Sequence, residues 1–498
     1  MKEQSRIANI VNCKFYPLLL FLVSFVFVVL FSRSTSFLYV FEGADPSVFK
    51  QMGRAILKGK IMYIDYFDNK GCLLYFIHAL GLWLGGDFAI MLMQVVFLTV
   101  TLFIWDKILA LYHTEKGRVV CLCVALVLLL CFYGAGDQTQ EWCLPFISYP
   151  LLVCMRAYKS KTEIQHRQMF VIGICFGIIT FIQINNACVF LGFIAWFWIQ
   201  LLAKKDFKKL FQSTACFIAG WGVIALPCLL YFFVKAGWHG VYEMTYASLL
   251  SNFEYIDARF SRRPFFVIPY VLLLLTFTAL MVVNCYKKKD LLIPMSISIF
   301  LFVVTFGKLC NMYYLMAFLP LCIIAMTAFD FQKQKKAKYG LCGVLILCVA
   351  YYACNPLLHF VEDLVLQNEK EVTIYNDFHH CISVIPENER DSIYNYNLHS
   401  PATSMMEHEG LLQCNRVLFT SLAFSLPTLW EEETSKPFIP PKWILLSFDK
   451  KYEKEDVYYI LDAYEMAGSF HYDKLYFHTP YIGDEFDVYL YRRKDPTF

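Results

Sequence analysis

The sequence is poor in charged residues, which make up only 17% of its 498 residues, whereas hydrophobic residues make up 58%. A soluble globular chain has roughly 25% charged residues. The apolar residues also cluster in runs of about 14 to 22 residues between positions 17 and 353. This scarcity of charge and these apolar runs exclude a disordered chain, a fibrous protein and a single soluble enzyme domain.

Common metal and redox signatures are absent from the sequence. Its 19 cysteines form no CxxC pair and no Cys/His spacing of the zinc-binding kind. We therefore predict no cofactor and assign no metal, while metal dependence stays open. Cys381 and Cys414 lie in the more polar C-terminal part, and the sequence leaves open whether they pair. The net charge of +3 gives no indication of a nucleic-acid partner.

The apolar runs predict a polytopic α-helical membrane protein with about eleven transmembrane helices. Loops rich in Lys and Arg alternate with loops that have few, which places the N-terminus in the cytoplasm and the C-terminal part outside. Residues 72–84 are apolar but too few to cross a bilayer, so they predict a juxtamembrane or re-entrant helix. The predicted spans are 15–32, 88–105, 119–133, 143–155, 169–182, 187–203, 212–234, 264–286, 291–306, 312–329 and 341–354.

The change in composition along the chain predicts two domains. Residues 1–354 form a membrane domain whose first external loop covers 33–87, and residues 355–498 form an extracytoplasmic domain. The latter holds 24 of the 41 Asp and Glu residues. Four predicted strands (372–375, 392–396, 443–448 and 486–491) and a predicted helix (455–467) indicate a small α/β domain. It has no recognisable catalytic motif, so acceptor binding and capping of an active site both stay open.

The first external loop begins with an amphipathic pattern. Asp45 and Pro46 are a favoured N-cap and a favoured first helical residue, and Gly59 fits the C-cap. Asp65, Asp68 and Lys70 then precede the short apolar helix. Carboxylates supply general bases and fixed cations attract phosphate. The alternatives are that Asp45 only caps its helix and that the following residues form an ordinary solvated turn.

These residues resemble the membrane glycosyltransferases of the GT-C fold. The resemblance rests on the acidic helix start, an Arg nine positions later, a Leu-Lys-Gly helix end, and an acidic turn with Lys before the segment LLYFIHALG. The layout of the chain resembles the bacterial branch related to protein O-mannosyltransferases and aminoarabinose transferases (glycosyltransferase family 39-like). The resemblance implies transfer of a sugar, with inversion, from a polyprenyl-phosphate carrier to a glycan, lipid or protein acceptor outside the cytoplasm.

The resemblance also implies roles for residues of this loop. Asp45 corresponds to the catalytic base, and Arg54 and Lys70 correspond to basic residues near the donor phosphate. Asp68 is a candidate for substrate binding. The sequence departs from the family pattern because Asn69 separates Asp68 from Lys70. It also has Gly where relatives have Pro after the Lys, and Pro where many have a second acidic residue after the first.

Other external loops supply further candidates. Asp137 and Glu141 would hold sugar or acceptor hydroxyls, or would simply form a short polar turn. Arg259 and Arg262 would bind the donor phosphate, or would lie at lipid headgroups in an aromatic belt. Tyr313 is predicted to contact substrate.

Two other classes of function stay open. One is transfer of a whole lipid-linked glycan, and the other is a transporter or flippase of lipid-linked sugars. A transporter is expected to place ionisable residues within its spans or to have broken helices in paired halves. Because the carboxylates of the membrane part collect in external loops, we favour a multi-pass glycosyltransferase of the bacterial cell membrane. Its partners are the sugar donor, the acceptor and membrane lipid.

Overall fold

A computed structural model describes residues 14–32, 44–133, 136–252, 289–306, 312–327, 368–397, 401–417, 426–435, 440–449, 462–472 and 486–494, with the single residues 254, 278 and 343. The chain divides into two compact units. The helical unit comprises Met1–Phe31, Met91–Val234 and Arg259–Leu357. The mixed unit comprises Ser32–Ile90, Lys235–Ala258 and Leu358–Phe498. The domain division at residue 354 stays a prediction.

The described part of the chain is mostly helical. Short 3-10 segments cover Ile184–Ala187, Met312–Phe318 and Glu387–Ser392, and a π-helical turn covers Tyr246–Leu250. In chain order the α-helices are α1 (Tyr16–Phe31), α2 (Ala44–Leu57), α3 (Cys72–Gly85), α4 (Asp87–Leu109), α5 (Glu115–Phe132), α6 (Thr139–Ser160), α7 (His166–Gln183), α8 (Cys188–Ala203), α9 (Phe207–Thr245), α10 (Lys289–Phe306), α11 (Leu319–Thr327), α12 (Asn368–Ile382), α13 (Pro401–His408) and α14 (Pro427–Ser435).

Helices cover each predicted span that falls on described residues, and the short segment 72–84 is helical as predicted. Within the described residues, three helical segments are long and apolar enough to cross a membrane: Asp87–Leu109, His166–Ala203 and Phe207–Leu250. The predicted count of about eleven spans is therefore not confirmed. The predicted spans 264–286 and 341–354 lie outside the described residues, apart from 278 and 343.

A four-stranded sheet lies in the mixed unit. Its strands are β1 (Ile393–Asn397), β2 (Trp443–Asp449), β3 (Tyr464–Tyr472) and β4 (Phe486–Arg493), in the order β1-β2-β4-β3. β1 and β2 are parallel, whereas β4 runs antiparallel to both β2 and β3. β1, β2 and β4 confirm three of the four predicted strands.

Two predictions for this domain are wrong. Residues 372–375, predicted as a strand, lie within α12, because Ile374, Phe378 and Ile382 bury a helical face with a spacing of four residues. The predicted helix 455–467 ends in a strand, since Tyr464 begins β3 and pairs with Arg493 of β4. Pairing along an available strand edge outweighs local preference. Residues 455–461 of that helix lie outside the described residues.

Cys381 and Cys414 are both free thiols in the structure. Cys381 is buried in the core between α12 and the sheet, whereas Cys414 is exposed. The structure therefore does not pair them.

A sharp bend interrupts α9 near the boundary between the units. Ala236 and Gly237 leave the helical conformation, and Gly237 has a φ of +62°. A Cβ at position 237 would meet no atom within 4 Å. The backbone conformation rather than crowding therefore requires glycine there.

Two glycines allow α7 and α9 to touch through their backbones inside the helical unit. A Cβ on Gly173 would overlap the carbonyl oxygen of Phe217, and a Cβ on Gly220 would overlap that of Phe170. Small residues at such positions permit close packing of apolar helices, where van der Waals contact replaces the hydrophobic effect as the driving force.

We expect the substitution Gly220→Ala to destabilise the protein by about 1–3 kcal/mol, because the added methyl group forces the two backbones apart. Thermal unfolding in detergent measures this change. The control is Gly222→Ala on the same helix, where a Cβ would meet no atom within 4 Å. It should leave stability unchanged or raise it slightly through helix propensity. Equal effects of the two substitutions would contradict the close packing.

Candidate functional site

Helix α2 carries the predicted base and packs against α3. The ring of Phe49 lies 6.4 Å from that of Tyr75 and 5.5 Å from that of His78, measured between centroids. A Cβ on Gly53 would come within 2.8 Å of the backbone nitrogen of Ala79, so the helices are in close contact. This packing buries the apolar face that the sequence predicts for α2, against protein.

Both ends of α2 follow local rules. The helix begins at Ala44, so Asp45 lies in its first turn rather than at the predicted N-cap. A carboxylate is favoured in the first turn by the helix dipole. At the other end Gly59 has a φ of +82°, and the N–H groups of Gly59 and Lys60 donate to the carbonyls of Ile56 and Ala55. This pattern is a Schellman motif and confirms Gly59 as the C-terminal cap.

The polar face of α2 contacts the C-terminal part of the chain rather than water. Four residues of α2 and the segment after it, at helical spacing, meet four residues near α13 and β1. The pairs are Ser47 with Ser404 (2.8 Å between hydroxyl oxygens), Gln51 with the Thr403 carbonyl (3.3 Å), Arg54 with Glu407 (2.6 Å) and Lys58 with Asp391 (3.0 Å). We define these eight residues as the α2 clamp.

Arg54 binds a buried carboxylate. Its Nη2 and Nε donate to the two oxygens of Glu407 at 2.6 and 3.4 Å, and the Glu407 side chain is only 3% exposed. Burial raises the pKa of Glu407 above its usual value, and the nearby Arg54 guanidinium only partly offsets this rise. Arg54 lies nine residues after Asp45, which on a helix is half a turn around the axis and about 13.5 Å along it. The structure therefore does not bring Asp45 and Arg54 together.

The turn after α2 is held by its own polar groups. Asp65 accepts a hydrogen bond from the Ile61 N–H at 2.6 Å, and the Tyr63 N–H donates to the Tyr66 carbonyl at 2.6 Å. Tyr63 is buried with a φ of +67°, a conformation that side chains other than glycine rarely adopt. Such strain persists only where surrounding contacts impose it.

Asp68 and Lys70 lie together beside the start of α3. Asp68 is buried, and its two oxygens accept hydrogen bonds from the Tyr75 hydroxyl at 2.7 Å and the Asn69 N–H at 2.8 Å. Lys70 Nζ donates to Asn69 Oδ1 at 2.6 Å and lies 3.9 Å from Asp68. The Lys70 side chain is 18% exposed, so it is the more accessible of the two charges. Gly71 is the N-cap residue of α3 and provides no capping side chain.

Helix spacing and two contacts relate Asp45 to this turn. Asp45 lies one helical turn before Phe49 on the same face of α2. Phe49 packs against Tyr75, whose hydroxyl donates to Asp68. Asp45, which is half-buried, thus belongs to the face of α2 that meets α3 and the Asp68 turn.

Arg416, which the sequence did not indicate, fixes the same turn from the other side. Its Nε and Nη2 donate to the carbonyl of Tyr63 at 3.0 and 2.8 Å. Nη1 donates to Glu432 at 2.8 Å, and Nη2 also donates to Glu243. The guanidinium carbon lies 5.6 Å from the ring centroid of Phe67. Arg416 is thus surrounded by groups that match a buried cation.

The segment after the bend in α9 reaches the turn as well. Asn252 Nδ2 donates to the Asn69 carbonyl at 3.2 Å, and Glu254 accepts from the Thr428 hydroxyl at 2.9 Å. The sequence offers no signal for these contacts, because each joins residues more than 170 positions apart.

Asp137 and Glu141 belong to the helical unit, where both are buried. Glu141 accepts hydrogen bonds from the Tyr133 hydroxyl at 2.7 Å and the Asp137 N–H at 2.9 Å, and Asp137 accepts from Trp142 at 2.7 Å. Nearby, Gln183 Oε1 accepts from three side chains of α6 and the 3-10 segment: Thr139, Gln140 (2.9 Å) and Asn186 (3.4 Å). Gln183 and Asn186 therefore join Thr139 and Gln140 in a buried polar cluster.

The remaining candidates are only partly described. Arg259 and Arg262 lie outside the described residues. Tyr313 lies in the 3-10 segment Met312–Phe318 of the helical unit. Among residues that the structure does describe, no three His, Cys, Asp or Glu side chains are grouped so as to hold a metal ion.

With its apolar helices and its small sheet, the protein belongs structurally to the helical proteins that also have a mixed α/β part. No protein-family model matches the sequence, and a comparison with curated proteins gives no match. Among solved structures, the fold is similar to the oligosaccharyltransferase of Archaeoglobus fulgidus. For its complex with Zn and sulfate, the TM-score is 0.51 at 13% identity, covering 89% of this chain and 69% of that one. For its apo form, the TM-score is 0.52 at 11% identity, covering 92% and 74%.

This similarity concerns the fold alone, because the sequence identities are so low. The predicted fold class is confirmed in part, as a helical protein with a small sheet whose fold is similar to that of this oligosaccharyltransferase. The placement in the bacterial branch stays a prediction.

The raised pKa of Glu407 predicts a pH-dependent stability. The folded chain binds the proton of the Glu407 carboxyl more tightly than the unfolded chain, so protonation of Glu407 stabilises the fold. This stabilisation is complete below the usual pKa of 4.5 and is lost as the pH rises through the higher pKa of the folded chain. We expect the unfolding temperature of the wild type to fall over this window relative to that of Glu407→Gln. Parallel curves for the two proteins, measured by thermal unfolding in detergent, would contradict the assignment.

Proposed function

We propose that this protein is a membrane glycosyltransferase that moves a sugar from a polyprenyl-phosphate donor to an acceptor outside the cytoplasm. One observation carries the proposal: Asp45 and Lys70 belong to adjoining elements of one unit, on a face connected through Phe49, Tyr75 and Asp68. The GT-C-like fold supports it. The protein would be a multi-pass component of the bacterial cell membrane, with its N-terminus in the cytoplasm and residues 355–498 outside.

Lys70 would bind the donor phosphate. The phosphate is the leaving group, so negative charge builds on it as the bond to the sugar breaks. Lys70 is held in place by Asn69 and Asp68, and it directly precedes the N-terminal end of α3, whose dipole favours an anion. A cation fixed before the reaction stabilises the charge that develops during it. Asp68 would position Lys70 rather than bind substrate, because both of its oxygens already accept hydrogen bonds.

Asp45 would act as the general base. Inversion requires the acceptor hydroxyl to attack the anomeric carbon on the face opposite the departing phosphate. The hydroxyl oxygen forms the new bond, the bond from carbon to phosphate oxygen breaks, and the hydroxyl proton passes to the carboxylate of Asp45. Asp45 lies in the first turn of α2, where the helix dipole favours a carboxylate, and a carboxylate is the group that a general base requires.

Transfer of a whole lipid-linked glycan is the second candidate function. The specific observation that favours it is that the similar solved structures are of an oligosaccharyltransferase. The same two residues would serve either reaction, since both transfer a glycosyl group from a lipid-linked phosphate. The length of the glycan on the accepted donor separates the two candidates.

The experiment that tests the function measures sugar transfer by the purified, reconstituted protein with a panel of polyprenyl-phosphate sugars and lipid-linked glycans. We expect Asp45→Asn to lower kcat by about 10²–10⁴-fold, because it removes the general base. The control is Asp391→Asn, which removes an exposed carboxylate of the same unit. Asp45→Asn transferring sugar as fast as the control would contradict the role of Asp45.

A second prediction concerns the donor. We expect Lys70→Met to raise the KM for the donor by about 10–100-fold, because a hydrogen bond to a charged group contributes about 1.5–3 kcal/mol. Lys70→Arg should recover part of the loss. The control is Lys58→Met, which removes an exposed cation from the segment after α2. An unchanged KM in Lys70→Met would refute phosphate binding by Lys70.

A further inference from the structure

Helix α13 buries three polar residues. Thr403, Ser404 and Glu407 are each less than 5% exposed. Buried polar groups need partners. Their partners lie on α2: Gln51 for the Thr403 carbonyl, Ser47 for Ser404 and Arg54 for Glu407. α13 is therefore built to fit the polar face of α2.

The strength of these contacts differs along α2. Arg54 and Glu407 form a forked ion pair with a buried carboxylate, whereas Lys58 and Asp391 form an exposed pair with side chains 41% and 66% exposed. Exposed pairs contribute little, but removing one partner of a buried pair is strongly unfavourable. Rotation of α2 about its axis is therefore opposed chiefly at Arg54.

Glu407 holds α2 in place through Arg54, and Arg416 holds the turn after α2 in place. Arg416 donates to the carbonyl of Tyr63, the buried residue with positive φ, and its guanidinium also pairs with Glu243 and Glu432. The Tyr63 hydroxyl in turn donates to the carbonyl of Lys70 at 2.7 Å. One residue thus lies between Arg416 and the backbone of Lys70.

We propose that the C-terminal domain positions the active site through two residues, with Glu407 fixing the helix of Asp45 and Arg416 fixing the turn of Lys70. The proposal rests on the function proposed above and gives the domain a role other than acceptor binding or capping. Neither residue touches the reacting atoms, so both are positioning residues. A displacement near 1 Å at a catalytic group costs about 10²-fold in rate, which makes such positioning measurable.

The two residues predict different kinetic effects. We expect Glu407→Gln to lower kcat at least tenfold with the donor KM within threefold of wild type, because it releases Asp45 but not Lys70. We expect Arg416→Gln to raise the donor KM at least tenfold, because it releases the turn, and Arg416→Lys to recover part of that loss. The matched control is Asp391→Asn, which breaks the exposed pair of the same clamp.

A cross-link tests the contact independently of activity. The hydroxyl oxygens of Ser47 and Ser404 lie 2.8 Å apart, so the double substitution Ser47→Cys with Ser404→Cys should form a disulfide under mild oxidation. Mass spectrometry detects the linked peptides, and wild type treated with the same oxidant controls for its native cysteines. Placed in the Glu407→Gln protein, the oxidised pair should restore kcat, and reduction should remove the gain.

Each outcome decides the proposal. The separate effects on kcat and KM, with rescue by the cross-link, would support it. Wild-type kinetics in both variants, or effects on kcat and KM that do not separate, would overturn it, as would a cross-link that forms but abolishes transfer. If the Ser47→Cys, Ser404→Cys protein forms the cross-link but the wild type transfers no sugar, the proposed function would be overturned, and the positioning role with it. Absence of the cross-link would refute the contact itself.

Discussion

The guanidinium of Arg416 is the interaction on which the mixed unit depends. It joins three segments that are far apart in the chain: the turn at Tyr63, the helix of Glu243 and the C-terminal helix of Glu432. A guanidinium that is only 11% exposed must have acceptors for its donors, and here each acceptor comes from a different segment. Loss of any one segment would leave charge or a strained carbonyl without a partner. The turn, the bent end of α9 and the C-terminal loop are therefore expected to fold as one cooperative structure.

The polar face of α2 shows why an amphipathic helix alone does not indicate its surroundings. The sequence places Lys50, Gln51 and Arg54 opposite the apolar face, which would suit a helix lying in the membrane interface. In the structure Lys50 is fully buried and forms an ion pair with Asp87 at 2.8 Å, and Arg54 pairs with Glu407. Both faces of α2 thus contact protein. The helical periodicity of the sequence shows which face is polar, but it does not show which carboxylates the long cationic side chains will bind.

Much of the fold could be predicted from the sequence, because apolar runs and strand patterns are local. The apolar helices that fall on described residues, the short helix 72–84 and three strands were predicted correctly. No helix was predicted at α13 or α14, and α12 and β3 were missed, since pairing and burial decided them. The candidate site divides in the same way. Asp45, Asp68 and Lys70 lie close in the chain and carry a readable pattern. Arg416 and Asn252 act through contacts across hundreds of residues, and no local spacing reveals them.

Arg54 shows how a spacing rule and helix geometry can conflict. A basic residue nine positions after Asp45 matches the family pattern, which implies a place beside the donor phosphate. Nine residues turn a helix through two and a half turns, so the two side chains point to opposite sides of α2. A single small ligand cannot contact both. The bond from Arg54 to Glu407 supplies a different reason for a cation at this position, because it joins the helix that carries Asp45 to α13. In the proposed reaction Lys70, which precedes α3, is therefore the residue expected to bind the phosphate.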